Sequence, residues 1–90
     1  MIDFTNLAIL CSTWDEMERL NRIAKSQGAH EYVFDDIFFN ELGCKYFAVA
    51  DRNKITMLDS EEVARYKLTE TTFTEFTNKH HGTERDNSRQ

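Results

Sequence analysis

Ninety residues, 40% of them apolar and 12% aromatic with seven Phe, make one folded domain and exclude both a disordered chain and two separate cores. The net charge is −5, and because Glu84 and Asp86 offset Arg85 and Arg89, the deficit lies wholly in residues 1–79, where 14 acids stand against 9 bases. A body of that sign repels a phosphate backbone, so direct nucleic-acid binding is set aside.

In chain order, MIDFTNLAIL lacks a basic leader region, and its apolar run is too short for a signal peptide or a membrane span, so a cytoplasmic protein with no membrane role is expected. Residues 6–11, NLAILC, read as a short buried strand. Thr13-Trp-Asp-Glu16 then has the spacing of a capping box, with Thr13 accepting from a free amide and Glu16 reaching back. Trp14, Met17, Leu20, Ile23 and Ala24 recur at three- and four-residue steps, and Gly28 stands where a left-handed residue closes a helix. The spacing predicts a helix over 13–27.

Further on, KYFAVA and KITML flank the polar segment Asp51-Arg52-Asn53 and predict a β-hairpin. Phe47 and Val49 fall on one face, Tyr46 and Ala48 on the other, and Ile55 and Met57 alternate with Thr56. Residues 60–67 suit a helical turn capped by Ser60 and a third hairpin strand equally well. Thr72-Phe-Thr-Glu75 repeats the capping-box spacing and opens a short helix to about Lys79, and residues 80–90 form a mobile polar tail. The expected fold is α+β: one main helix on a small, mainly antiparallel sheet in β-α-β-β order, with a short C-terminal helix, in one domain over 1–79. A first strand parallel to a hairpin strand would make the helix a right-handed crossover.

Catalytic and metal chemistry find little support. His80 and His81 are next neighbours, and adjacent helical residues point about 100° apart, which is no metal face. Cys11 and Cys44 lack CxxC spacing, sit in apolar runs and read as buried, reduced, inert thiols. The three glycines, Gly28, Gly43 and Gly82, are too scattered to cradle a phosphate. Two of the three carboxylate pairs, Asp15/Glu16 and Glu61/Glu62, stand at expected helix N-termini; Asp35/Asp36 has no such explanation. No cofactor or metal is implied, and an enzyme is not expected.

One segment differs in kind. HEYVFDDIFFNE, residues 30–41, sets large apolar side chains beside four carboxylates, and no Lys or Arg occurs from Ser26 to Cys44. A period of 3.6 puts Phe34, Ile37 and Phe38 on one face, so a short helical turn over about 35–42, closed by Gly43, is expected. So small a core cannot hide all of Tyr32, Phe38 and Phe39. Apolar anchors flanked by acids describe a docking surface, in which Tyr32, Phe38 and Phe39 supply affinity while Asp35, Asp36 and Glu41 select a basic partner and speed encounter. The alternatives are a homodimer patch burying the same rings, and a nucleotide-binding protein using an aromatic platform with Arg52 or Arg65 for phosphate.

The order FTNLAILCS, TWDEMERLNRIAKSQG, KYFAVADRNKITMLD and LTETTFTEF, covering about residues 4–77, resembles that of small accessory proteins of tailed bacteriophages. The resemblance implies a viral protein in the host cytoplasm that binds and inhibits or modulates a host enzyme or defence protein. It carries no site motif, so it assigns no residue.

Overall fold

The computed structural model describes the backbone of residues 2–88 and the side chains of residues 2–80. Nine elements follow one another: β1 (Leu7–Leu10), α1 (Trp14–Ser26), β2 (His30–Glu31), α2 (Asp36–Asn40), β3 (Tyr46–Ala50), β4 (Lys54–Leu58), α3 (Ser60–Arg65), β5 (Thr69–Thr72) and α4 (Phe73–Ser88). The fold is α+β, but its sheet is mixed. Five strands lie in the order β2-β4-β3-β1-β5, with β3 antiparallel to both β4 and β1, while the edge strands β2 and β5 run parallel to β4 and β1. The expected mainly antiparallel β-α-β-β arrangement is corrected accordingly. Helix α1 does not return the chain to a neighbour of β1; it leads to β2 at the far edge. In the same way α3 carries the chain from β4 past β3 and β1 to β5.

The helix ends follow local chemistry. Thr13 Oγ1 accepts from the Glu16 amide at 3.2 Å, and Glu16 Oε1 accepts from the Ser12 amide at 2.7 Å, so the reciprocal bond lands one residue before the cap. Helix α3 is capped by Asp59, not Ser60, because Asp59 and Glu62 bond each other's backbone amides in a complete capping box. Thr72 and Glu75 form a third reciprocal pair at the start of α4. That helix continues to Ser88 instead of stopping near Lys79; the side chains beyond His80, and with them the expected mobile tail, lie outside the described residues.

The register sorts side chains to two faces. Ile9, Phe47 and Met57 are partners across three strands, and they pack with Met17, Leu20 and Ala24 of α1 in the larger core cluster. Burying each such aliphatic side chain contributes about 1.5–3 kcal/mol. Phe4 joins them from the N-terminal segment, edge-on to Phe47 and stacked on Phe76 of α4. On the opposite face Ala8, Ala48 and Leu58 meet Val63 of α3. The small side chains there let a helix of only six residues approach the strands closely. Phe47/Val49 and Tyr46/Ala48 divide between the two faces as their alternation requires.

Candidate functional site

The segment from His30 to Cys44 crosses from the sheet edge to β3. It begins at β2, where the His30 amide donates to Asn53 O and the Tyr32 amide to Ile55 O, each at 2.9 Å. Asp35 then caps α2 by accepting from the Ile37 amide at 3.1 Å, which fixes the start of this five-residue helix. Gly43, at φ 72°, turns the chain so that the Cys44 amide closes on Phe38 O at 2.9 Å. Phe34 precedes the cap and so is not part of the helix. The expected face of Phe34, Ile37 and Phe38 therefore does not exist as such.

Which rings are hidden is decided by Trp14 of α1. Phe34 lies 4.9 Å from it and Phe39 lies 6.0 Å from it, edge-on. Phe39 is only 4% exposed, with the Lys45 ammonium 3.7 Å above its ring and donating to its carbonyl oxygen at 2.8 Å. The expectation of Phe39 as a surface anchor is therefore corrected: it is core. Phe38 is half-buried against that core. Tyr32 stays outside, 65% exposed, its ring 4.6 Å from the Lys54 ammonium. Two residues that the sequence reading passed over stand out with it, Ile37 at 50% and Leu42 at 60%. The usable signal for them was Asp35 as a cap, since an N-cap at 35 leaves only one turn and one inward position.

Asp35, Asp36 and Glu41 are all exposed. The Asp35 carboxyl is held below its ordinary value, first by the Ile37 amide and then by the Asp36 side chain; Asp36 is raised by its hydrogen bond and charge contact with Asp35. Two neighbouring carboxylates repel each other when both are charged, and a nearby cation lessens that repulsion. Of the α1 acids, Asp15 pairs with Arg19 at 3.1 Å, Glu16 accepts from the Ser12 amide, and Glu18 is exposed.

The remaining candidates do not converge. Cys11 is buried, and burial together with Glu16 pushes its thiol up to about 12; Cys44 is half-buried and raised by burial and by Glu62 and Asp59. Both shifts disfavour the thiolate, the nucleophilic form. Among the described residues no group of three His, Cys, Asp or Glu could hold a metal ion, and no helix is long and apolar enough to cross a membrane. His80 packs on Phe76 at 4.7 Å. Arg52, in the hairpin turn at φ 67°, lines an open depression of about 1130 Å³ that Tyr32 and Tyr66 also border, whereas Arg65 belongs to the last turn of α3. Between positions 32 and 42, Tyr32, Ile37 and Leu42 are exposed, and so are Asp35, Asp36 and Glu41. No family model, curated protein or solved structure matches the chain.

Proposed function

We propose that this is a non-enzymatic protein-binding module that docks a basic surface of a partner through the patch around α2. One observation carries the reading. Of the five large apolar side chains exposed among the described residues, Tyr32, Ile37 and Leu42 fall within eleven consecutive positions that also hold Asp35, Asp36 and Glu41. Scattered exposed apolar residues need no explanation, but apolar anchors interleaved with one sign of charge match the composition of a docking surface. Tyr32, Ile37 and Leu42 supply buried area on binding, and the carboxylates select and steer a cationic partner. Taken with the resemblance of the sequence segments to phage accessory proteins, this reading makes the partner a host enzyme or defence protein and the module its inhibitor or modulator in the host cytoplasm.

The test begins with capture from a bacterial host lysate by the wild-type protein, side by side with D35K/D36K. The captured partner is then purified for kinetics at low and high salt. The double substitution is expected to slow association at least tenfold at low salt, with less effect at high salt and an unchanged circular dichroism spectrum. Equal affinity and equal association rate for the two proteins would remove this patch from the binding reading.

A further inference from the structure

We propose that Glu31 is a positioning residue for the docking patch: its carboxylate latches the two-residue edge strand β2 to α1 and so fixes where Tyr32 stands. The inference rests on the docking reading above and names what controls that site.

β2 is the shortest strand of the sheet and lies at its edge; both of its residues are exposed. Its backbone bonds run to one side only, at Asn53 and Ile55. From α1, two donors converge on a single oxygen of Glu31: Asn21 Nδ2 at 2.9 Å and Lys25 Nζ at 3.2 Å, both to Oε2. Lys25–Glu31 alone is an exposed ion pair of the kind that contributes little. Asn21 changes that picture. It is the one polar residue buried among those described, at 8% exposure, and its Oδ1 has no hydrogen-bond partner there. Turning the amide over would set Oδ1 against the carboxylate, acceptor to acceptor, so its orientation is fixed by Glu31. An apolar side chain in that place would bury without an orphaned oxygen. The amide gives α1 a donor aimed at β2, and that contact offsets its burial.

Tyr32 is the next residue along the chain, and its amide is the last but one of the β2–β4 bonds, followed by Val33 at 3.1 Å to the same Ile55 oxygen. With the latch open, β2 is held only by bonds exposed along a free edge. It then frays and takes the Tyr32 ring out of register with Asp35 and Asp36, while the core under α1 stays closed.

Residue-resolved amide hydrogen exchange by NMR reads this without any partner, in E31K, in E31Q and in the exchanged pair K25E/E31K. In the exchanged pair the Asn21 amide turns over, so that Oδ1 accepts from the new ammonium at position 31 and Nδ2 donates to the new carboxylate at position 25. E31K is expected to speed exchange at Tyr32 and Val33 at least tenfold, with Phe47 and Met57 unchanged; E31Q gives a smaller increase, and the exchanged pair returns wild-type rates. Unchanged rates at Tyr32 and Val33 in E31K overturn the latch. So does a uniform rise across the sheet, or failure of the exchanged pair to restore them. Should the exchange results hold while E31K binds the captured partner as tightly as wild type, the latch stands but its role in positioning is refuted. Should D35K/D36K leave binding untouched, the docking reading fails separately from the latch.

Discussion

Asn21 first and Lys25 second hold the Glu31 carboxyl below its ordinary value by hydrogen bonding to the charged form. A folded-state value below the unfolded one, about 4.3 for glutamate, gives a stability contribution that is complete above the unfolded value. It is lost as pH falls through the folded value. Asp36 has the opposite sign: its raised carboxyl favours the fold at low pH and loses that contribution as pH rises. The wild-type acid profile therefore mixes the two, and the difference between wild type and E31Q isolates the first. That difference, measured as the shift in urea midpoint, is expected to be constant from neutral pH to about 5 and to shrink below about 4. A constant difference down to pH 3 would mean that the Glu31 charge is not what binds Asn21. Nothing in the linear sequence marks this residue. Glu31 lies ten positions from Asn21 and six from Lys25, and only the turn at Gly28 brings the three together.

Two helices close with the same motif, and their sequences differ at the position that matters. After α1, the Ala29 amide donates to Ala24 O and the Gly28 amide to Lys25 O, with Gly28 at φ 98°. After α3, the Leu68 amide donates to Val63 O and the Lys67 amide to Ala64 O, with Lys67 at φ 55°. Both are Schellman closures, the first with the residue that tolerates left-handed backbone and the second without it. A Cβ added at Gly28 meets nothing within 4 Å, so Gly28→Ala is a purely conformational cost, about 1 kcal/mol. Lys67→Gly relieves the same strain but loosens the unfolded chain, for a net gain below about 1 kcal/mol. Urea midpoints at unchanged slope are expected to move in opposite directions. Elements of this sort were legible because caps and closures are local: Thr13/Glu16, Thr72/Glu75 and Gly28 are read within a few residues. β2 and β5 were not. HE and TETT have no apolar alternation, and they are strands only because β4 and β1 offer parallel edges far away in sequence. The preference for Ser60 over Asp59 as a cap failed for a smaller reason, since both residues cap well and the reciprocal Glu62 bond selects Asp59.

Across the whole molecule, the acidic character of residues 30–44 is visible in sequence, but its neighbours are not. Lys25 of α1, Lys45 just before β3 and Lys54 of β4 lie respectively on Glu31, on the ring and carbonyl of Phe39, and on the ring of Tyr32. None of them bonds Asp35, Asp36 or Glu41, so these three exposed carboxylates are left for a partner. Likewise, an excess of rings over core volume was legible, while its distribution was not: Trp14 draws Phe39 inward and leaves Ile37 and Leu42 outside. This distribution sets different expectations for a foreign partner and for a second copy. A two-fold interface at α2 sets Asp35, Asp36 and Glu41 of one copy against the same residues of the other around the axis, and like charges facing each other oppose closure. The wild-type chain is therefore expected to scatter light as a monomer of 10.6 kDa at neutral pH and low ionic strength. Self-association should grow only when repulsion is removed, by D35N/D36N or by salt near 1 M, where the screening length falls to about 3 Å. L42S should suppress whatever association then forms, because the apolar anchors are common to both uses of the patch. A wild-type dimer at low salt that L42S dissolves would instead assign the patch to the chain's own second copy, and the carboxylates would then have to find cations such as Lys45 or Lys54 across that axis.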